Sequence, residues 1–270
     1  MLAPPLRRLC LVTGASAGIG AAFASAYAAR GCDVALVARR KSRLDDLAAA
    51  LTARHGVNAI AIAADLGRND AEVPVLSALA EHGRHVDILV NNAGFGIPRD
   101  FIAEPWARQR EFLMTMAVTP CALAHAVLPG MMARGDGAIL NVASMVGYAP
   151  GVAGNTLYPA VKSLMIKFSQ SLNAECRGHG VSVTAVCPGT TLSEFAQAAG
   201  IPGRENMKPG PFTQTAEAVV AEAIRANLRG RAVVITGWHN RLAVTALRAL
   251  PESLVRAVIN AGAARFRPKE

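Results

Sequence analysis

The sequence predicts a doubly wound α/β fold: one parallel sheet, covered by helices on both faces, in a single domain. Three observations predict it. Short apolar runs alternate with helical stretches between residues 9 and 236. The runs are apolar throughout rather than at every second residue, as in strands buried on both faces. The first run leads into a glycine-rich turn, Thr13-Gly14-Ala15-Ser16-Ala17-Gly18-Ile19-Gly20, that opens the first helix.

The elements follow in order. Leu9–Val12 is a short apolar strand, and Ala17–Arg30 is a helix stopped by Gly31. Asp33–Ala38 is a strand, Lys41–His55 an amphipathic helix, Ala59–Ala64 a strand, Asn69–Arg84 helical and Val86–Val90 a strand. Pro105–Arg134 reads as long helical material, followed by a strand at Ala138–Val142, a helix at Asn155–His179 and a strand at Val181–Val186. The pattern breaks at 188–211, where Gly189, Gly200, Pro202, Gly203, Pro209 and Gly210 make a long loop, a candidate lid. Thr213–Leu228 is a helix, Ala232–Thr236 the last strand, and Asn240–Phe266 helical with a break at Pro251. Right-handed crossovers between such strands wind the sheet in both directions. One domain over 1–270 is expected, with its core at 9–236 and a helical extension at 238–266.

Composition narrows the function. The 270 residues are 52% hydrophobic, which excludes a disordered chain, and only 5% aromatic, so the helices pack through small side chains. Cys10, Cys32, Cys121, Cys176 and Cys187 form no CxxC pair and are odd in number, the usage of reduced thiols in a cytoplasmic protein. No metal site is expected. No signal-peptide core precedes the first strand. Phe112 to Ala133 lacks Asp, Glu, Lys and Arg over a bilayer-spanning length, but Pro120, His125, Pro129 and its place between α/β elements favour a buried helix. Of the net charge of +9, +4 comes from 240–270, where six basic residues stand against two acidic ones, and the rest is scattered. There is no basic stripe with a reading element, so nucleic-acid binding is not expected.

The chemistry sits at Tyr158 and Lys162, one helical turn apart and so on one helix face. A cation beside a phenol favours the phenolate, which makes a proton donor and acceptor usable near neutral pH. The glycine turn suits phosphate: Gly14, Gly18 and Gly20 allow backbone to approach it, and the helix N-terminus attracts it.

Five motifs in order now carry a resemblance: Thr13-Gly14-x-x-x-Gly18-x-Gly20, Asn91-Asn92-Ala93-Gly94, Ser144, Tyr158-x-x-x-Lys162 and Pro188-Gly189. Over residues 9–236 the chain resembles the classical short-chain dehydrogenase/reductase family. The resemblance implies a Rossmann fold, a nicotinamide dinucleotide and hydride transfer to or from a carbonyl carbon. It makes Tyr158 the general acid for reduction and base for oxidation, Lys162 the group that lowers its pKa and holds the nicotinamide ribose, and Ser144 the donor to the substrate oxygen. The cofactor residues it implies are Gly14, Ser16, Gly18, Ile19, Gly20, Asp65, Leu66, Asn91, Ala93, Gly94, Tyr158, Lys162, Pro188, Gly189, Thr190 and Thr191, with Asp65 also a helix N-cap candidate.

Cofactor choice has its own argument. Folds that bind NAD place an acid near the end of the second strand. Here that strand ends Val37-Ala38-Arg39-Arg40-Lys41, with no acid, so NADP is expected over NAD, with Arg39 and then Arg40 on its 2′-phosphate. One residue departs from the family pattern. Counting back from Leu128-Pro129, the relay asparagine falls on Met116, and no asparagine lies between Asn92 and Asn141. Phe95, Met145, Val146, Tyr148, Leu192, Phe195, Met207 and Phe212 are the candidate pocket wall. They suit a small apolar ketone, aldehyde or alcohol.

Leu242, Leu247, Leu250, Leu254, Val255, Val258 and Ile259 form an apolar helical stripe in the tail, expected to pack on the domain or on a second subunit, with contact to an anionic membrane as the less favoured reading. The resemblance suggests a homodimer or homotetramer through the helices containing Ala117–Met132 and Leu157–Ala174. Two other functions stay open: a nucleotide-binding sensor or scaffold with weakened catalysis, and a peripheral membrane lipid reductase.

Overall fold

The structure is a computed structural model that describes residues 6–151, 153–192 and 210–256. Seven parallel strands form one sheet in the order β3-β2-β1-β4-β5-β6-β9. They are β1 Leu9–Thr13, β2 Asp33–Ala38, β3 Ala59–Ala63, β4 Ile88–Asn91, β5 Gly137–Val142, β6 Val181–Cys187 and β9 Val233–Ile235. A parallel pair, β7 Thr191–Leu192 with β8 Gln214–Thr215, stands apart from that sheet. The helices are α1 Gly18–Ala28, α2 Lys41–His55, α3 Glu72–Glu81, α4 Trp106–Leu113, α5 Thr119–Arg134, α6 Leu157–Glu175, α7 Ala216–Leu228 and α8 Trp238–Ala249.

Alternation along each buried strand divides the core in two. Cys10, Val12, Val34 and Leu36 turn to one face, where Phe23, Leu44 and Ile224 cover them. Leu9, Leu11, Ala35 and Val37 turn to the other, against Val75, Leu79, Leu123 and Met131. The chain thus winds in both directions from β1, as the apolar runs predicted. The stretch Trp106–Arg134 is long and apolar enough to cross a membrane. In this fold Phe112, Leu123, Ala124 and Met131 on it are fully buried.

Several boundaries differ from expectation, most of them by one to three residues. The helix expected from Asn69 starts at Glu72, because Asp70 takes a left-handed conformation (φ 53°) that no α-helix accommodates. The helix expected to run to His179 ends at Glu175, ahead of Gly178 and Gly180, both with positive φ. The long helix is interrupted at Met114–Val118 by a π-turn, in which the Thr119 N–H reaches back to the Met114 carbonyl. Pro120 follows and has no N–H to continue the α-helical ladder to Met116. The tail helix begins at Trp238 rather than Asn240 and ends before Pro251. Residues 257–266 of the expected tail, with Val258 and Ile259, lie outside the described residues, as does most of the candidate lid.

Candidate active site

Strand order reverses between β1 and β4, and both neighbouring loops leave the C-terminal edge of the sheet there. In open α/β sheets that is where a ligand crevice forms. A cleft of about 630 Å3 occupies this edge. Its walls come from the residues that follow successive strands: Gly14 after β1, Arg39 and Arg40 after β2, Asp65 and Leu66 after β3, Ala93 and Gly94 after β4, Ser144 after β5, and Pro188 to Thr191 after β6.

The switch point is held by two motif side chains to which the sequence assigned no role. Thr13 Oγ1 accepts from the N–H groups of Asn92 (2.9 Å) and Ala93 (3.1 Å), and donates to Val90 O at 3.2 Å. The Asn92 amide donates to Thr13 O (2.9 Å) and Gly14 O (3.2 Å). Gly14 lies at φ 67°, and a Cβ there would stand 2.8 Å from Ala93 Cα. Gly20 does not line the cleft. A Cβ on it would come 2.3 Å from Gly14 O, so this glycine lets α1 close onto the turn rather than onto phosphate. Ala17 gives no side-chain cap to α1, which leaves the first N–H groups of that helix to the cleft alongside Ser16, Gly18 and Ile19.

Asn91 is a correction. Its amide donates inward, to Pro120 O at 3.0 Å and Asn141 Oδ1 at 2.9 Å, and the residue is 4% exposed. As the last residue of β4 it points into the helical layer, and its neighbour Asn92 takes the cleft side. Asp65 lines the cleft but caps no helix: its Oδ1 accepts from Gly67 N at 3.1 Å in a two-residue turn, and α3 begins only at Glu72.

Tyr158, Lys162 and Ser144 meet at one end of the cleft. Ser144 hydrogen-bonds the Tyr158 phenol. Val146 N donates to Ser144 Oγ at 3.3 Å, which fixes the serine at the head of the turn Met145–Tyr148. Gly147 lets that turn lie on α6, since a Cβ there would be 2.8 Å from the Lys162 backbone. Lys162 Nζ stands 5.5 Å from the Tyr158 ring centroid and donates to Val142 O at 2.8 Å. The expected depression of the tyrosine pKa is absent from this geometry. Burial pushes the Tyr158 phenol up to about 12, against the bond from Ser144, and burial pushes Lys162 down to about 8. Desolvation is the largest cause of both shifts.

The substrate wall is partly as expected. Phe95, Met145 and Val146 line the cleft, and Tyr148, Leu192 and Phe212 do not. The Tyr148 hydroxyl bonds the Cys187 sulfur behind the cleft, and the Arg248 guanidinium lies 5.8 Å from its ring centroid. Phe212 is 66% exposed, edge-on to His239. Phe195 and Met207 lie outside the described residues. The sequence reading missed Ile97, Pro98, Arg108, Glu111, Thr115 and Asn155, all of which line the cleft. They carry no motif, and only the packing of α4, the loop before it, the π-turn after it and the segment ahead of α6 brings them there.

Met116 is 3% exposed and packs on Gly94, whose hypothetical Cβ would lie 3.1 Å from the methionine Cε. The position counted to the relay asparagine is thus filled by an apolar side chain against the loop after β4.

Comparison with known proteins agrees with this geometry. The family model described as short chain dehydrogenase matches residues 8–204. A very-long-chain 3-oxoacyl-CoA reductase of Anas platyrhynchos is 34% identical over 236 residues, 85% of this chain and 73% of that protein. A short-chain dehydrogenase from Sphingobium yanoikuyae, solved in complex with NADPH, is 36% identical with a TM-score of 0.79, covering 92% of this chain and 94% of that one. The bulky-bulky ketone specific alcohol dehydrogenase from Comamonas testosteroni is 31% identical with a TM-score of 0.75, over 91% and 93% of the two chains. With a family match over most of its length and a Rossmann sheet that gathers Ser144, Tyr158 and Lys162 at one cleft, this chain belongs to the short-chain dehydrogenase/reductase family of oxidoreductases.

Proposed function

We propose that the protein is an NADP(H)-dependent oxidoreductase that interconverts an apolar ketone or aldehyde and its alcohol. The observation that carries this reading is the meeting of Ser144, Tyr158 and Lys162 in one cleft with the glycine turn and two arginines. The cleft fits a dinucleotide: its glycines admit backbone contact, α1 opens toward it without a side-chain cap, and Arg39 and Arg40 stand at the end of β2. Arg40 bonds Ser16 Oγ through Nε (3.2 Å) and Nη2 (2.9 Å), which holds its guanidinium at the turn and favours a phosphate there. The nicotinamide, when bound, supplies or accepts the hydride.

The chain's own groups handle the proton and the charge. In reduction the Tyr158 phenol gives its proton to the carbonyl oxygen, and Ser144 donates a hydrogen bond as negative charge builds there. In oxidation the tyrosine takes the alcohol proton. A phenol held at about 12 stays protonated at neutral pH, which favours the reductive direction. Lys162, held at about 8, is mostly charged at neutral pH, and an anionic ligand beside it would strengthen that charge, which favours the phenolate. Phe95, Met145 and Val146 support an apolar substrate. The Anas reductase and the Comamonas dehydrogenase, named for an oxoacyl thioester and for bulky ketones, favour 3-oxoacyl compounds and hindered ketones as the first to assay. A homo-oligomer working in the cytoplasm belongs to the same reading.

The test is loss of NADPH absorbance with a panel of such carbonyls. Turnover is expected with NADPH in excess of that with NADH. Tight NADPH binding without turnover on any carbonyl would instead favour a nucleotide sensor, the reading that buried Met116 motivates.

A further inference from the structure

No acid stands in the sequence at the end of β2, where Ala38 is followed by Arg39, Arg40 and Lys41. The fold brings one from elsewhere. Glu111, on α4, reaches across the mouth of the cleft, with one carboxylate oxygen 3.3 Å from Arg39 Nη1 and the other 2.5 Å from Arg108 Nη1. All three side chains line the cleft. The glutamate is held over it by close packing: a Cβ on Gly67, in the loop after β3, would lie 2.5 Å from Glu111 Cγ. Arg108 is fixed in turn, its guanidinium 4.1 Å from the Phe95 ring centroid.

A carboxylate and a phosphate compete for the same arginine face. We propose that Glu111 is a cofactor-specificity residue: its carboxylate holds Arg39, must release it to a ribose 2′-phosphate, and so narrows the preference for NADP(H) over NAD(H). This rests on the proposed nucleotide function. The chemistry has two sides. A 2′-phosphate arriving at Arg39 is repelled by Glu111 until that carboxylate turns wholly to Arg108. A 2′-hydroxyl meets instead an acceptor of the kind that NAD-binding folds supply from strand two. Arg39 is 62% exposed in its side chain, so its pair with Glu111 is weak and yields readily. The glutamate therefore tunes the ratio of the two cofactors and does not block either. Arg40 is bonded to Ser16 Oγ.

Binding of 2′,5′-ADP and 5′-ADP, followed by calorimetry, reads the 2′-phosphate alone and needs no substrate. Glu111→Gln removes the charge and keeps the shape. It is expected to tighten 2′,5′-ADP about threefold to fivefold and to leave 5′-ADP unchanged or weaker, the scale of one exposed ion pair. In an Arg39→Ala background the same change is expected to lose most of that gain, which a double-mutant cycle measures. Equal effects on both ligands, weaker 2′,5′-ADP binding, or a gain that persists without Arg39 would overturn the inference alone. Failure of the wild type to bind either ligand would overturn the functional reading, and the inference with it.

Discussion

At the scale of single residues, Lys162 carries a cost that function explains. It is 6% exposed and depressed from 10.5 to about 8 by burial. The unfolded chain therefore binds more protons between about pH 8 and 10.5, and this group's contribution to stability rises with pH across that window. Below it the full cost stands, on the order of 3 kcal/mol. Lys162→Met is expected to abolish turnover while leaving the melting temperature at pH 7 unchanged or higher, because the lost bond to Val142 O offsets part of the relief. A clear fall in melting temperature at pH 7 would contradict the assignment. Met116→Asn places an amide where a methionine is 3% exposed against Gly94. It should raise turnover with NADPH affinity unchanged, and cost about 1–3 kcal/mol of stability through the buried polar group. Steady-state kinetics and thermal melts check both, and unchanged turnover would mean that protons reach Tyr158 by another route. The spacing of Tyr158 and Lys162 announced the pair, but its protonation was not legible. That depends on how deeply α6 sinks behind the turn Met145–Tyr148. Asn91 and Asn92 show the same limit, since two adjacent asparagines read alike until strand direction sends one inward.

At the scale of elements, the turn Pro188-Gly189 and helix α8 prove to be one device. A Cβ on Gly189 would come 2.3 Å from Asn240 Oδ1. Asn240 cannot swing aside: it is 5% exposed and bonded to Thr236 O at 2.7 Å and to Gln214 Oε1 at 3.4 Å. Gln214 N in turn donates to Thr190 O at 3.0 Å, which closes the turn onto β8. Gly189→Ala should lower stability by about 1–3 kcal/mol, the usual cost of overpacking, and cut turnover by shifting the turn. Asn240→Ala in the same chain should recover part of the loss, and additive effects would show that the two do not share a contact. The glycine was legible as turn chemistry, whereas its partner was not. Asn240 is a helix residue 51 positions away by numbering, in a tail that periodicity marked only as an apolar stripe. Among its described residues that stripe is mostly uncovered: Val255 is buried, Leu247 half-buried, and Leu242, Leu250 and Leu254 are exposed.

At the scale of the whole molecule, the sheet was the most legible part. Apolar runs alternating with helices admit few arrangements once crossovers are right-handed, and strand order β3-β2-β1-β4-β5-β6-β9 is the doubly wound one. The cleft was half legible. Motif residues that end strands fell where that order puts them, since every strand delivers its last residue to the same edge. Arg108, Glu111 and Asn155 reach the cleft from helices and loops whose lean over that edge follows from packing alone. The inference about cofactor ratio comes from those residues, and so was invisible in the sequence.

In the proposed function Tyr158, in the cleft shared with Ser144 and Lys162, moves the proton while NADPH serves as reductant. The most direct test compares wild type with Tyr158→Phe on the best carbonyl of the panel, alongside direct NADPH binding. A fall in kcat of about 10²–10⁴-fold is expected, the contribution of a positioned general acid, with NADPH affinity changed less than about threefold. Turnover that survives the substitution with NADPH binding intact would contradict it.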